Sequence, residues 1–447
     1  MLVHYHTFGC KANQYDTERM RQEAEAQGAV TTDDRAGADV LVVNTCTVTN
    51  QADAEARRFI RRLKRERPEA RIVVAGCSAA LRTEEYRSMD GVAEVVPGHD
   101  AALVARAVRS LARHADGGRS GTGLTQIELR TSLDRIDSEP IGGALLRRRA
   151  GAARGWLKVQ DGCDRKCSFC ATRLARGASR SRPMSEVVAE ARLLAESHDE
   201  LVVTGIHIGH YGLDLDPGST LSALCTRLLD EVADVRFRLG SVEATEVDDA
   251  LLDLLEGSGG RLAPHLHMPL QSGADTVLRG MRRWHTREQY RARALEIAAR
   301  IAPLGLGADL ITGFPGESEG DHRDTVALIE ELPFTYLHVF PFSPRQGTAA
   351  AELQRAAQVP QRVAGERAKE LRTLAHEKGR AHRRARVGTR ATVVVEGDGG
   401  TGMTEDYLRV GVRTSDAPAP GRFEGTLLGE GDDLYIVAPR DPGVIAT

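Results

Sequence analysis

The stretch DGCDRKCSFC, residues 161–170, begins at the end of a candidate strand, 156–161, and holds three of the seven cysteines. Cys163, Cys167 and Cys170 are separated by three and two residues. Three thiolates at this spacing in one loop can wrap a cube-shaped iron–sulfur cluster and leave one iron free to chelate a small molecule. The alternatives are a zinc site without a fourth ligand, which no nearby histidine supplies, or three ordinary loop cysteines. The spacing favours the cluster.

Around this loop, short apolar runs alternate with amphipathic helical patterns from residue 151 to residue 378, for example at 185–197 and 286–301. Six β-then-α units predict an open or partial (β/α)6 barrel rather than a closed barrel of eight units. In such a barrel, the loops after the strands build the site. The six candidate strands are 156–161, 201–206, 235–242, 265–270, 307–313 and 335–342.

Residues 1–112 form a second alternating series, which predicts a doubly wound parallel sheet and an α/β fold class for the chain. Cys10, Cys46 and Cys77 each follow a candidate strand of this series. The carboxyl ends of parallel strands meet at the edge where open α/β sheets bind ligands. We therefore expect these cysteines to lie together and to hold a second iron–sulfur cluster, although they are 36 and 31 residues apart. The alternative is three small buried cysteines at strand ends.

The rest of the chain divides into a connection and a small domain. Residues 113–150 are poor in apolar periodicity and rich in Gly, Ser and Arg, which predicts an exposed linker. Residues 379–447 hold short strands separated by Gly, Asp and Pro, which predicts a small all-β barrel. Cys225 lies in an apolar helical pattern and is predicted to be a buried small hydrophobe.

The composition excludes several classes of protein. Of the 447 residues, 41% are hydrophobic and 28% charged, and the net charge is −3, unlike a disordered chain or a histone-like polycation. No stretch approaches the roughly 18 apolar residues of a membrane span, so no membrane partner is expected. The first residues lack the apolar run of a secretory signal, and we expect a cytoplasmic location. An odd number of cysteines then favours metal or thiolate chemistry over disulfides.

The pattern Cys-x-x-x-Cys-x-aromatic-Cys after the first strand of a six-unit barrel resembles the radical S-adenosylmethionine superfamily. Further stretches resemble one group within it, the methylthiotransferases, in the same order along the chain. In that group the terminal module is a TRAM domain, a small β-barrel associated with RNA binding. These stretches are TFGCKANQYDTE (7–18), VVNTCTVTNQAD (42–53), VVAGCSA (73–79), RGASRSRP (176–183), TGIHIGHYG (204–212), HMPLQSGADTVLRGMRR (267–283), DLITGFPGE (309–317) and TGMTEDYLRV (401–410).

The resemblance implies a radical reaction at carbon 2 of an adenine, whose C–H hydrogen is not acidic enough for a general base. It implies a 4Fe–4S cluster on Cys163, Cys167 and Cys170 that binds S-adenosylmethionine and yields a 5′-deoxyadenosyl radical. A second 4Fe–4S cluster, on the early trio of cysteines, would deliver the methylthio group. No catalytic residue is identified beyond the cluster ligands. The side chains and glycines implied to contact S-adenosylmethionine are Phe169, Gly205, Ser241, Glu243, Asp309 and Gly313.

The residues around the first two cysteines resemble the branch that modifies N6-threonylcarbamoyladenosine beside the tRNA anticodon. The implied partners are a tRNA anticodon stem-loop, an electron donor such as flavodoxin or ferredoxin, and a sulfur source. A base in a single-stranded loop is readily splayed into a cavity. Two basic stretches are candidates for phosphate contacts, 378–390 and the arginine stripe at 57–67, although the stripe is equally typical of a solvated helix face.

Some positions depart from the family pattern or leave alternatives open. Ala171-Thr172-Arg173 stands after Cys170 where the family tends to have two aliphatic residues and a proline, which puts fine substrate contacts in doubt. His265, His267 and His285 are expected to be core or surface histidines, because the two cysteine sites are already complete. Two other functions remain: a ribosomal-protein aspartate methylthiotransferase, and a non-catalytic iron–sulfur RNA-binding redox sensor.

Overall fold

The computed structural model describes residues 1–113, 145–149, 152–397, 399–414 and 421–439. Most of the predicted linker therefore lies outside the described residues. The described chain forms an N-terminal α/β region, a central barrel-like region and a C-terminal β region.

The N-terminal region is a five-stranded parallel sheet in the order β2-β1-β3-β4-β5, as the alternating pattern predicts. Strand β3 (Val40–Thr45) is buried along its whole length because helices cover both faces of the sheet. The other elements are β1 (Leu2–Thr7), α1 (Lys11–Ala26), β2 (Val30–Thr31), α2 (Asn50–Glu66), β4 (Arg71–Gly76), α3 (Cys77–Leu81), α4 (Thr83–Arg87), β5 (Val92–Val95) and α5 (Ala101–Arg113).

The central region contains six parallel strands in the order β6-β9-β10-β11-β12-β13, which confirms the partial (β/α)6 barrel. Bridges between Phe237 and Leu262 and between Ser241 and His267 join its two halves. Its strands are β6 (Arg154–Lys158), β7 (Gln160–Asp161), β8 (Arg180–Ser181), β9 (Glu200–Thr204), β10 (Arg236–Leu239), β11 (His265–His267), β12 (Gly305–Thr312) and β13 (Tyr336–Pro341). Its helices are α6 (Thr172–Arg176), α7 (Met184–Ala195), α8 (Leu221–Glu231), α9 (Asp249–Gly257), α10 (Asp275–Gly280), α11 (Arg287–Arg300), α12 (Glu319–Glu331), α13 (Ala349–Ala357) and α14 (Gln361–Arg386).

Helix α1 of the N-terminal region packs against β6, the edge strand of the partial barrel. The Nε1–H of Trp156 donates to Oε1 of Gln14 at 3.0 Å, and Tyr15 is part of the hydrophobic core of the barrel. This packing brings the carboxyl edge of the N-terminal sheet to the carboxyl end of the barrel strands.

The C-terminal region is all β, as predicted, and its six strands form one curled sheet, a half-barrel, in the order β17-β14-β15-β16-β19-β18. Arg236 and Arg238 of the barrel hold it through hydrogen bonds to the carbonyl oxygens of Thr392 and Thr404, both at 2.8 Å. The strands are β14 (Arg390–Glu396), β15 (Thr401–Thr404), β16 (Arg409–Arg413), β17 (Arg422–Thr426), β18 (Leu428–Glu430) and β19 (Asp433–Val437).

Two smaller findings concern the hydrophobic residues. Cys225 on α8 is 2% exposed, which confirms that it is a core residue. Across the described ranges, none of the helices has both the length and the apolar character needed to cross a membrane.

Candidate functional site

Cys163, Cys167 and Cys170 lie in the loop between β7 and α6, with Cys163 and Cys167 half-buried and Cys170 exposed. Gly162 starts the loop at φ +69°, where a Cβ would lie 1.7 Å from the carbonyl oxygen of Ala178. Only glycine fits this position, because the backbone is left-handed and the space is already occupied.

The side chain of Gln160 links this loop to neighbouring loops through hydrogen bonds. Its Nε2 donates to the carbonyl oxygen of Gly162 at 2.8 Å and to the hydroxyl of Ser179 at 2.9 Å. Its Oε1 accepts from the backbone N–H groups of Ile206 and His207. One buried amide therefore ties the cysteine loop to the loop after β9.

Two basic side chains stand beside the sulfurs of the loop. Nδ1 of His207 lies 3.4 Å from Sγ of Cys163, and Nη1 of Arg283 lies 3.8 Å from Sγ of Cys167. Burial and the neighbouring cysteines raise the pKa of the Cys163 thiol to about 12. Burial also raises the pKa of the Cys167 thiol, although the Arg283 guanidinium opposes this. Bound iron would favour the thiolate forms.

The second trio comes together at the carboxyl edge of the N-terminal sheet, as the sequence predicts. Cys10 precedes α1, Cys46 follows β3, and Cys77 begins α3 directly after β4. Gly9 has φ +103°, and a Cβ there would lie 2.5 Å from Sγ of Cys46, so the first loop passes directly over the second cysteine.

Asn13, on the first turn of α1, crosslinks the loops of this trio. Its Nδ2 donates to the carbonyl oxygens of Phe8 and Thr45, both at 2.9 Å. Its Oδ1 lies 3.7 Å from Sγ of Cys77 and accepts a hydrogen bond of 2.6 Å from Arg176 of the barrel. Asn13 is thus in contact with the surroundings of all three cysteines.

Two of the N-terminal cysteines, Cys46 and Cys77, are buried, whereas Cys10 is exposed. Burial raises the pKa of Cys77 to about 12, with Arg176 opposing the shift and Cys46 and Cys10 adding to it. Nε2 of His99 lies 3.3 Å from Sγ of Cys77, and burial lowers the pKa of His99 to about 3, so this imidazole is neutral.

In neither trio are the three sulfurs arranged as ligands of a single tetrahedral ion. Over the described ranges, neither trio brings its three sulfurs within 4.8 Å of one another. A tetrahedral zinc ion with Zn–S bonds of about 2.3 Å would hold its sulfurs roughly 3.8 Å apart. Iron atoms at the corners of a cube hold their thiolates further apart, and a set of three soft thiolates suits an iron–sulfur cluster.

A cavity of about 160 Å³ opens between the two trios. The residues after Cys46, 47–49, form one wall, and Phe169 to Thr172 around Cys170 form the other. Asp309, Gln271 and Phe340 of the barrel also line it. Phe340 is an exposed hydrophobic side chain at its margin.

The residues expected to contact S-adenosylmethionine are spread over different surroundings. Phe169 and Asp309 line the cavity, and Ser241 Oγ pairs with Nδ1 of His267 at 2.8 Å. Glu243 forms an ion pair with Arg283 beside Cys167, and burial raises the pKa of Glu243 although Arg283 opposes the shift. Ser241 and Glu243 both follow strand β10.

The two predicted glycines differ in position. Gly205 follows β9 and packs on Gln160, whose carbonyl oxygen would be 2.8 Å from an added Cβ. Gly313 has φ +72° and packs against Ala364 of α14, and its N–H donates to Glu317 at 2.6 Å. The structure therefore brings Gly205 to the core loop, whereas Gly313 lies in a turn against α14 and not among the residues that line the cavity.

Two of the three singled-out histidines, His265 and His285, are buried in the barrel as expected. His267 is also buried, but it forms a cluster with Asp309 and His338 whose ligand atoms all lie within 4.8 Å. Burial tends to raise the pKa of Asp309, but His267 and His338 outweigh it and hold the carboxyl well below its usual range. This cluster is a polar wall of the barrel interior.

The two basic stretches differ in how much of their positive charge is paired with acidic side chains. In 378–390, Arg380 and Arg384 pair with Asp432, and Arg386 pairs with Glu405 and Asp406, so much of this charge is neutralised internally. On α2, Arg58, Arg61 and Arg65 are exposed and have no ion-pair partner among the described residues. The exposed positive charge is therefore greater on α2.

The sequence reading did not single out Asn13, Gln160, Arg176, Arg283 or Arg345 as site residues. The only signal for the first four was their position within or next to the quoted family stretches. Arg345 offered no local signal, because its partners Asn50 and Asp53 are almost 300 residues away in the chain.

Comparisons with known proteins agree with this architecture. Residues 2–98 match the family described as "Uncharacterized protein family UPF0004", and residues 157–329 match the "Radical SAM superfamily". The structure superposes on the radical S-adenosylmethionine methyltransferase TsrM of Kitasatospora setae with a TM-score of 0.56 at 16% identity, over 76% of this chain and 74% of that one. That likeness is one of fold.

Relatives of known name cover nearly the whole chain. The Threonylcarbamoyladenosine tRNA methylthiotransferase MtaB of Bacillus subtilis is 35% identical, over 84% of this chain and 80% of its own. The protein of the same name from Thermotoga maritima is 31% identical over 99% and 96%. A tRNA-2-methylthio-N(6)-dimethylallyladenosine synthase of Ruegeria pomeroyi is 31% identical over 98% and 93%. On its fold, its cysteine loop and these relatives, the chain belongs to the radical S-adenosylmethionine methylthiotransferase family.

Proposed function

We propose that this enzyme adds a methylthio group to carbon 2 of N6-threonylcarbamoyladenosine at position 37 of tRNA. It uses S-adenosylmethionine and two 4Fe–4S clusters, one on Cys163, Cys167 and Cys170 and one on Cys10, Cys46 and Cys77. The observation that carries the proposal is the cavity between the two trios, which Cys170 lines from one side and the residues after Cys46 from the other.

The bound groups would supply a carbon radical that removes the C2 hydrogen and a methylthio group that replaces it. The chain's own residues position the reactants. For S-adenosylmethionine, Asp309 and Phe169 line the cavity, Glu243 pairs with Arg283 beside Cys167, and Ser241 follows the same strand as Glu243. The exposed ring of Phe340 at the cavity margin offers a face on which a splayed base can stack.

The surroundings of Lys11 favour a substrate with a threonylcarbamoyl group over one with a dimethylallyl group. Its ammonium, next to Cys10, faces the rings of Trp156 and Tyr407 at 6.0 and 5.9 Å from their centres. Burial, and then Arg154 and Arg238, lower its pKa to about 8, and none of the described carboxylates is in ion-pair contact with it. A half-buried ammonium that no described carboxylate pairs with favours a substrate that brings a carboxylate, as the threonyl group does.

Arg58, Arg61 and Arg65 on α2 are the proposed contacts for the phosphates of the tRNA. Helix α2 begins at Asn50, which contacts the loop that closes the cavity, and runs away from it. At 1.5 Å per residue, these arginines lie about 12–23 Å along the helix from that end, a span that the backbone of an RNA loop can follow. An electron donor such as flavodoxin or ferredoxin and a sulfur source remain predictions.

Nucleoside mass spectrometry tests reaction and substrate together. The enzyme is expressed in a host that makes N6-threonylcarbamoyladenosine but cannot methylthiolate it, and we expect the 2-methylthio derivative to appear. If 2-methylthio-dimethylallyladenosine or methylthio-aspartate on a ribosomal protein appears instead, the proposed substrate is wrong. If S-adenosylmethionine and dithionite yield no 5′-deoxyadenosine with the reconstituted protein, the redox-sensor alternative is favoured.

Lys11→Met tests the substrate preference. Because a hydrogen bond to a charged group contributes about 1.5–3 kcal/mol, we expect kcat/KM for RNA with the threonylcarbamoyl group to fall roughly 10- to 100-fold. RNA with a dimethylallyl group should be unaffected or react faster. An equal loss of kcat/KM on both substrates would show that Lys11 does not bind the carboxylate of the threonyl group.

A further inference from the structure

Two arginines of the barrel are buried beside the N-terminal cysteines. Arg176 ends α6, directly after the core cysteine loop, and is 1% exposed. Arg345 lies in the loop between β13 and α13 and is 4% exposed. Both guanidinium groups bond residues of the N-terminal region, although neither belongs to it.

Arg176 binds the first loop of the N-terminal trio through Asn13 and Asp16. Its Nη2 donates to Oδ1 of Asn13 at 2.6 Å and to Oδ2 of Asp16 at 2.9 Å, while Nη1 donates to Asp161 at 2.9 Å. Asn13 in turn bonds the backbone before Cys10 and before Cys46. Arg176 therefore sets the orientation of the Asn13 amide, which fixes the spacing of these two cysteines.

Arg176 also provides a positive charge to the sulfurs. Its Nη2 donates to Oδ1 of Asn13 at 2.6 Å, and that oxygen lies 3.7 Å from Sγ of Cys77, so the guanidinium stands close to this sulfur. Its own charge is balanced within a buried square that also contains Lys158, Asp16 and Asp161, with Lys158 2.6 Å from each carboxylate. Removal of Arg176 alone would leave this square one charge more negative beside the sulfurs.

Arg345 binds the second loop, the one that follows Cys46. It donates to Oδ1 of Asn50 at 2.8 Å, to Oδ2 of Asp53 at 2.7 Å and to the hydroxyl of Thr47. Nδ2 of Asn50 returns a hydrogen bond of 2.8 Å to the carbonyl oxygen of Pro344. The residue after Cys46 is therefore held against the barrel from the cavity side.

We propose that Arg176 and Arg345 are positioning residues that complete the N-terminal cluster site from the barrel. Arg176 sets the charge around the cluster and the spacing of Cys10 and Cys46, and Arg345 fixes the Cys46 loop at the cavity. This inference rests on the proposed second cluster. It means that the N-terminal trio reaches its working geometry and potential only when the two regions are docked.

The charge of Arg176 predicts the direction in which the reduction potential of the cluster shifts when this side chain is removed. A nearby positive charge favours the form that carries the extra electron, so a variant without it should be harder to reduce. We expect Arg176→Met to lower the reduction equilibrium constant about tenfold, which is about 59 mV for one electron. Arg176→Lys keeps the charge and should restore most of the potential.

The experiment uses the full chain with Cys163, Cys167 and Cys170 all replaced by alanine, so that bound iron reports only on the N-terminal site. Arg176→Met, Arg176→Lys and Arg345→Met are added singly, and iron content, the electron paramagnetic resonance spectrum and the midpoint potential are measured. Arg345→Met should reduce iron occupancy at least twofold. Arg182→Met is the matched control, because Arg182 is equally buried and contacts Tyr15 of α1 but pairs with Glu190 instead of facing the sulfurs.

The expected result is a lower potential for Arg176→Met, recovery in Arg176→Lys, and an unchanged potential in Arg182→Met. An unchanged potential in Arg176→Met, or an equal shift in Arg182→Met, would overturn the inference while leaving the second cluster in place. If the parent without the core cysteines binds no iron, the second cluster itself fails and the inference fails with it. Should Arg176→Met not fold, Arg176→Gln takes its place, with the same shift expected.

Discussion

The two cysteine trios differ in how the chain brings three cysteines to one site. The core trio lies within one loop of eight residues, whereas the N-terminal trio is collected from three strand ends spread over 68 residues. Each trio is preceded by a left-handed glycine, and each is crosslinked by one buried amide, Gln160 or Asn13.

The difference lies in where the neighbours of the sulfurs come from. His207 and Arg283 beside the core trio belong to the barrel itself. Beside the N-terminal trio, Arg176 and Arg345 belong to the barrel and bond Asn13 and Asp53 of the N-terminal region. A local motif can thus support a self-contained site, while a dispersed one is completed by docking.

The largest effect should come from removing each trio in turn. With Cys163, Cys167 and Cys170 replaced by alanine, we expect neither 5′-deoxyadenosine nor methylthiolated product, because radical formation needs this site. With Cys10, Cys46 and Cys77 replaced, 5′-deoxyadenosine should still form while methylthiolation is lost. Each variant should bind about four irons instead of about eight.

The proposed division of roles between the trios would be wrong if loss of the early trio also abolished 5′-deoxyadenosine formation. It would also be wrong if that variant still methylthiolated RNA. Cys225→Ala, which removes a buried cysteine outside both sites, is the control and should keep both activities.

A smaller, site-selective effect is expected from the two glycines. Gly9→Ala should reduce iron only at the N-terminal site, because its Cβ would collide with Cys46. Gly162→Ala should do so only at the core site, since its Cβ would collide with a backbone oxygen. Each should lose part of the roughly four irons of its site. Iron analysis and the 5′-deoxyadenosine assay separate the two, and a loss at both sites from either change would contradict this independence.

The two clamping amides should have comparable effects on stability. Asn13→Ala and Gln160→Ala each leave several buried hydrogen-bonding groups unpaired, at about 1–3 kcal/mol for each group left unsatisfied. We expect the free energy of unfolding to fall by roughly 2–4 kcal/mol in each case. Urea denaturation of the apo-protein measures this, with Gln51→Ala, an exposed residue of α2, as the control. A loss below about 0.5 kcal/mol would show that the amides do not clamp the loops.

The smallest effect concerns the N-terminal sheet away from the sulfurs. Burial raises the pKa of Glu94 on β5 to about 7. Because the native state favours the protonated form, this stabilisation is complete below pH 4.5 and is lost as the pH rises through 7. Glu94→Gln should remove this loss and stabilise the protein by about 2 kcal/mol at pH 8, with little gain at pH 4.

Thermal melts of Glu94→Gln at pH 4 and pH 8 test this prediction. The exposed Glu69, replaced by Gln in the same way, serves as the control. Equal stabilisation by Glu94→Gln at both pH values would show that the Glu94 carboxyl is not responsible.

Much of the fold and part of the site were predictable from local patterns. The six barrel strands, the parallel N-terminal sheet and the cysteines at its strand ends followed from alternating apolar runs and from the edge at which such sheets bind ligands. The ion pairs of the basic stretch at 378–390 were not predictable, because a count of arginines does not show that Asp432, Glu405 and Asp406 lie beside them.

The sequence by itself determined the α/β architecture, the two sets of three thiolates and the glycines that precede them, because spacing and backbone conformation are local properties. Only the tertiary structure decided that Arg176 and Arg345 bond residues of the N-terminal region, that Lys11 has no ion-pair partner among the described carboxylates, and that Gly313 turns towards α14. These features depend on the docking of regions up to 300 residues apart, and a buried charge finds its partner only when the chain is folded.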